Sequence, residues 1–406
     1  MRYLVLVYDG MADRPLPALN GKTPMETAKK PFLDGFAKDA LVGTVSNVPE
    51  GMVPESDTAN LAILSYDPKI YSKGRSPLEA MSMGLTMKEN DVAYRANVVT
   101  LSEEEGSYWN RTMLDHSADE ITTAEADALI KAVDGVLGDQ FKRFFTGVSY
   151  RHCLLWDGGD ASVSFMRPHD ILGQSISAYA PTGENAKAFA DMMEKSYAIL
   201  NHHPVNEARR QRGLRPANSL WFWSPGKKPA LPSFEEKWHL KGTVISAVDL
   251  IKGIGICANM NTVDVEGATG NVHTNYEGKA QAAIDAYKNG ADLVFVHVEA
   301  PDECGHRAEI ENKVLSIEYI DSRILKPVTD YLAQSGEAYA LMALPDHPTP
   351  IEIRTHSMEP VPFLIWRSDK KESGVSTFTE QTAIAQNNYI SDGTKLMGIL
   401  VQKAGI

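Results

Sequence analysis

Three apolar runs, set far apart in the chain, each end on an acid, and this recurrence restricts the fold more than any other feature. Tyr3–Tyr8 runs into Asp9, Leu293–Val298 runs into Asp302 and His306, and Ala338–Leu344 runs into Asp346 and His347. His356 stands just ahead of a fourth run, Val361–Trp366. Short continuous apolar runs of this kind read as buried strands. In an open parallel sheet, bound groups gather beyond the carboxyl ends of the strands. One site that draws on Asp9 and on residues 302–356 therefore needs both ends of the chain in a single sheet.

Each residue alone is weak evidence. An Asp after a strand usually serves a turn or caps a helix, and a solitary His is usually structural. Together, Asp9, Asp302, His306, Asp346, His347 and His356 form a mixed carboxylate–imidazole set. Such a set suits Zn, Mn or Fe, whereas oxygen ligands alone suit Mg or Ca. Six candidates exceed what one catalytic ion commonly takes from protein, so the pattern predicts two metal ions. Cys304 lies inside the motif and reads as a small residue filling the turn rather than a thiolate ligand.

A second stretch carries chemistry. After a loop broken by Gly51 and Pro54, a helix is expected to begin near Ser56. The plain reading makes Ser56 or Asp57 an N-cap. The alternative makes Ser56 a nucleophile at the positive end of that helix, where backbone N–H groups and the helix dipole favour a phosphoryl group.

Between these stretches the texture changes. Alternating strands and helices, among them Ala93–Leu101, Thr123–Leu137 and Thr146–Trp156, occupy the middle of the chain and end at the Pro-rich tract Trp223–Phe234. The expected organisation is a core from residues 1–87 and 237–406, with an α+β domain inserted at 88–236. Tyr276–Lys288 and Glu309–Ser335 are expected as helices covering the sheet. The core reads as α/β, a parallel sheet with helices on both faces. The 406 residues suffice for two or three domains. A net charge of −13 argues against a nucleic-acid or membrane-surface partner. No apolar run reaches the ~18 residues of a membrane span. The start MRYLVLVYDG reads as a strand rather than a secretory leader. Three scattered cysteines fit a reducing, cytoplasmic setting. Oligomeric state is left open by this pattern.

The residues at Asp9, the Glu55–Leu61 segment ESDTANL, Ala300–His306, Pro345–His347 and His356 together resemble the alkaline-phosphatase superfamily. More narrowly they resemble the cofactor-independent phosphoglycerate mutases of archaeal type, a likeness that extends through the insertion (VAYRANVVT at 92–100, YRH at 150–152, RPANSLW at 215–221). The resemblance implies an alkaline-phosphatase-like core with an inserted lid domain that binds substrate. It implies interconversion of 3-phosphoglycerate and 2-phosphoglycerate through phosphorylated Ser56, without 2,3-bisphosphoglycerate. Asp9, Ser56, Asp346 and His347 would hold one divalent ion, and Asp302, His306 and His356 the other, with Mn first and Zn, Mg or Co as alternatives. Lys279 would neutralise the transferring phosphate. Arg95, Arg151, Arg209 and Arg210 would be the insertion's contacts to a small phosphorylated substrate. A related phosphotransferase acting on another small alcohol, such as a homoserine kinase, and a phosphomonoesterase are the alternative readings.

Overall fold

The computed structural model describes residues 1–104 and 106–402. The chain forms two compact units, Met1–Ser72 with Ala230–Ile406, and Lys73–Pro229. Its strands begin with β1 (Arg2–Tyr8), β2 (Leu41–Val45), β3 (Asp91–Leu101) and β4 (Met113–Asp115). Next come β5 (Lys142–Phe145), β6 (Arg151–Asp157), β7 (Ser219–Lys227), β8 (Gly242–Ile245) and β9 (Asn261–Val263). The last are β10 (Leu293–Val298), β11 (Tyr339–Leu344), β12 (Val361–Arg367) and β13 (Tyr389–Ile390).

The first unit holds an eight-stranded sheet in the order β13-β2-β12-β11-β1-β10-β8-β9. β1 lies between β10 and β11 and pairs with both in parallel, Tyr8 opposite Val298 and Val7 opposite Leu344. Every residue of β10 and β11 is buried, which is why both read as near-continuous apolar runs, that of β10 interrupted by His297. On one face, Leu4 and Leu6 join Ala280 and Ala283 of helix Tyr276–Lys288 and Ile317 of helix Ile310–Ile320. On the other face, helix Asp249–Cys257 approaches so closely that a Cβ on Gly255 would stand 2.8 Å from Val244 Cγ2.

Two details depart from the sequence reading. The sheet is mixed, because β12 runs antiparallel to β11 and to β2. A parallel return needs a long crossover, usually helical. The connection from β11 to β12 holds no helix and instead carries Asp346, His347 and His356. The helix expected over Glu309–Ser335 is two helices, Ile310–Ile320 and Lys326–Gln334, joined by a π turn at Asp321–Leu325. Pro327 lacks the N–H an α-helix would need there, and a π turn absorbs such a defect.

The second unit is antiparallel. Its sheet follows β4-β3-β6-β5, with β7 also paired to β3. Tyr94, Phe189 and Phe222 pack in its core with Leu129 and Ile130 of helix Thr123–Leu137. The unit begins ahead of residue 88, because Ala80 of helix Ser76–Ser82 is buried against Ala93 and Cys153 of this sheet.

Candidate metal centre

Because β1, β10 and β11 are parallel neighbours, their carboxyl ends deliver Asp9, Asp302 and Asp346 to one edge of the first unit's sheet. Gly10 follows Asp9 with φ +62, and a Cβ there would stand 2.5 Å from Thr349 Oγ1. Glycine is what permits the approach. Its N–H donates to Asp346 Oδ1 at 3.1 Å, and His347 N donates to the same oxygen at 2.9 Å.

Beyond β10, helix Ala300–Arg307 places Asp302 and His306 one turn apart on one face. Asp302 Oδ2 lies 3.2 Å from His306 Nε2, and its Oδ1 lies 3.4 Å from His356 Nε2. The outer nitrogens are oriented by carbonyls. His306 Nδ1 is 3.0 Å from Arg354 O, and His356 Nδ1 is 2.6 Å from Pro54 O. The Thr349 hydroxyl donates to Asp302 Oδ1.

Among the described residues, two groups have ligand atoms close enough for a cation, Asp302 with His347 and His356, and Asp9 with His297 and Asp346. His306 adjoins the first, its Nε2 3.0 Å from that of His356. The His347 ring stacks on His356 at 3.9 Å, and its Nε2 is 3.6 Å from both Asp9 Oδ1 and Asp346 Oδ2. His347 thus stands between the groups.

The electrostatics of these groups suit bound cations. Burial and the neighbouring Asp346 and Asp302 push the Asp9 carboxyl far above its usual range. Its Oδ1 has no hydrogen-bond partner. Burial also works against an ionised Asp302, but hydrogen bonds from His306 and His356 outweigh it and hold that carboxyl well below the usual range. The same bond to Asp302 raises His306 to about 9. Buried acids crowded in this way demand positive charge, from protons or from metal ions.

Ser56 opens helix Ser56–Ile63 as its first residue, and Glu55 takes the N-cap position. Its hydroxyl therefore does no capping and lies 3.2 Å from His347 Nε2. Asn60 ties Ser56 and Asp346 together, donating to Ser56 O and to Asp346 Oδ2, each at 2.8 Å. Lys279 is fully buried, and its Nζ donates to His297 O at 3.1 Å. Burial brings its ammonium down to about 8 despite the nearby Glu299.

The second unit separates the four arginines that the sequence reading assigned to substrate. Arg95 lies 4.7 Å over the Trp223 ring and 3.0 Å from Glu79. His169 packs against Trp223 and His116, and His116 against Tyr150, over which Arg151 lies. His116 Nδ1 and Arg95 Nε have no hydrogen-bond partner. Arg209 and Arg210 are held elsewhere. Arg209 is 2 % exposed and donates to Glu125 Oε2, Ala118 O and Arg215 O. Arg210 pairs with Glu103 and Glu207 and donates to Asn201 O. Sequence reasoning placed all four with substrate, and the structure gives the last two internal partners.

His297 escaped the sequence reading. A lone imidazole within the apolar run Leu293–Val298 was the available signal, since a polar group in a buried strand needs a partner.

A family model described as 2,3-bisphosphoglycerate-independent phosphoglycerate mutase matches residues 37–206. The 2,3-bisphosphoglycerate-independent phosphoglycerate mutase of Methanosarcina barkeri is 45 % identical over 404 residues, covering 99 % of this chain and 100 % of the relative. The chain belongs to that family. A probable member from Geobacter sulfurreducens is 43 % identical over 404 residues, with 99 % and 100 % coverage. Among solved structures, the cofactor-independent phosphoglycerate mutase of Thermoplasma acidophilum matches with a TM-score of 0.67 at 27 % identity, covering 100 % of both chains. The PH0037 protein of Pyrococcus horikoshii matches at 0.83 and 28 %, covering 100 % of this chain and 98 % of its own. In this member, a cavity of about 620 Å³ between β9 and helix Tyr276–Lys288 is lined by none of the residues of the candidate metal centre, so its volume does not mark that centre. Among the described residues, no helix is long and apolar enough to cross a membrane.

Proposed function

We propose that this chain interconverts 3-phosphoglycerate and 2-phosphoglycerate through a phosphoserine on Ser56, beside two divalent cations and without 2,3-bisphosphoglycerate. The observation that carries the reading is Ser56 itself. Its hydroxyl is released from capping and set 3.2 Å from His347 at the edge where three strand ends gather their acids. Ser56 Oγ attacks phosphorus, the bond from phosphorus to the glycerate oxygen breaks, and that oxygen regains a proton. The other hydroxyl of the same glycerate then attacks the phosphoserine and restores Ser56, so no phosphate is lost to water. Asp9, Ser56, Asp346 and His347 would hold one ion, and Asp302, His306 and His356 the other. Such ions, Mn before Zn, Mg or Co, would neutralise phosphoryl charge and lower the pKa of the serine hydroxyl.

Asn60 holds Ser56 and Asp346 in register by its two 2.8 Å bonds. Lys279, buried with Glu299 nearby, supplies positive charge for the transferring group. In the second unit, Arg95 and Arg151 are assigned to the glycerate carboxylate, because their cluster keeps donor atoms without partners. The test follows 3-phosphoglycerate by phosphorus NMR with Mn-loaded protein and no added bisphosphoglycerate. Appearance of 2-phosphoglycerate to an equilibrium mixture is expected. Accumulation of inorganic phosphate alone would make the protein a phosphomonoesterase, and no reaction would favour another phosphotransferase.

A further inference from the structure

Within the two metal-spaced groups, the two-ion reading leaves one imidazole without a role. His297 lies in β10 opposite Val7 of β1 and is fully buried. Its Nδ1 is 3.2 Å from Ser246 Oγ, which accepts from Val248 N at 3.0 Å. With one lone pair so used, that hydroxyl still satisfies Nδ1 in either tautomer. The other nitrogen is different. Nε2 lies 3.1 Å from Asp9 Oδ2, yet it makes no hydrogen bond to it or to any other described group. Asp9 Oδ1 is equally without a partner. A core histidine of purely structural purpose would have both nitrogens satisfied, because an unpaired polar atom in a dry strand interior is costly.

A cation removes both defects at once. One ligand atom each from His297, Asp9 and Asp346 lies within 4.8 Å of the others. Coordination at about 2.0–2.2 Å closes that spacing with small side-chain shifts. Asp346 needs no such help, since backbone N–H groups fill its Oδ1 and Asn60 reaches its Oδ2. Those bonds orient it as an outer shell orients a ligand. Ser246 serves His297 in the same way, accepting Nδ1–H and leaving the Nε2 lone pair facing Asp9. We propose that His297 Nε2 is a protein ligand of the cation held by Asp9 and Asp346, in addition to the ligands the family resemblance supplies. The proposal rests on the two-ion reading and adds an uncharged nitrogen to the more acidic of its two sites.

The test loads 15N-histidine-labelled protein with 113Cd and counts imidazoles that show one-bond cadmium–nitrogen coupling. Four are expected, His297, His306, His347 and His356. The His297→Ala variant should keep three couplings and bind one of its two Cd ions at least about tenfold more weakly in a chelator competition, the least a lost outer-shell partner costs. The count in the unsubstituted protein decides the matter even where the variant folds poorly. Three couplings, with His297 Nε2 carrying a proton hydrogen-bonded to Asp9, would overturn the proposal and leave two ions in place. No coupled imidazole at all would overturn the two-ion reading together with it.

Discussion

In the unit built from both chain ends, carboxylates and imidazoles meet where parallel strands stop, and several of their atoms are unpaired or strongly perturbed. In the inserted unit, most charged groups cancel within the unit. Arg209 is enclosed by Glu125 and two carbonyls, and Arg210 by Glu103, Glu207 and Asn201. The difference teaches how far residue type reaches as a guide. An acid following a buried parallel strand has its direction fixed by the sheet, so type and position together report a site. An arginine has a long stem and five donors, and it finds carboxylates and carbonyls wherever the fold offers them.

Stripping metal from the protein would break this contrast most severely. Chelation should abolish turnover, and added Mn²⁺ should restore it. His306→Ala and His347→Ala should each lower metal content by elemental analysis. Full activity of a metal-free preparation would return the first unit's acids to a structural role.

Arginine substitutions in the second unit sharpen the same contrast through stability. Removing Arg209 leaves Glu125 with Arg212 and Thr122 but frees Arg215 O and Ala118 O, the latter at the start of a run of three left-handed residues, Ala118, Asp119 and Glu120. Arg209→Ala should cost about 1–3 kcal/mol in denaturant unfolding, the usual cost of leaving buried carbonyls without a donor. Arg210→Ala, whose partners are more exposed, should cost about 1 kcal/mol or less. Equal losses would mean that burial does not separate the two.

A smaller effect concerns a half-buried acid of the first unit away from the candidate metal centre. Burial raises Glu380 from its ordinary 4.5 to about 7, against hydrogen bonds from Thr23 Oγ1 at 2.8 Å and Asp13 N at 3.2 Å. Between these values the folded state binds the extra proton, so stability should fall as pH rises from 4.5 to about 7 and then level off. Glu380→Gln should flatten that decline in thermal melts taken across the window. An unchanged slope would assign it to other groups.

Much of the centre was legible in the sequence because β1, β10 and β11 announce themselves as apolar runs and their terminal acids follow directly. Helix Tyr276–Lys288 was legible to the residue, since Asn289-Gly290 closes it. Three things were not. The direction of β12 depends on a connection whose lack of a helix no local pattern reveals. The part played by His297 depends on register, which brings β10 beside β1 only in the folded sheet. Arg209 is set by a distant glutamate, Glu125, and by a left-handed turn of non-glycine residues that propensity disfavours. Ser56 lies between these cases. Its helix was expected, but its release from capping follows from Glu55 taking the N-cap.

That release supplies the most direct measurement. Mn-loaded protein is mixed with 3-phosphoglycerate, quenched in acid within a turnover, digested and analysed by mass spectrometry. A phosphorylated peptide containing Ser56 is expected, absent from a Ser56→Ala variant that folds normally and turns over at least about 10⁴-fold more slowly, as for other lost nucleophiles. Turnover by Ser56→Ala within about a hundredfold of the unsubstituted protein, with no phosphate found on Ser56, would contradict the account.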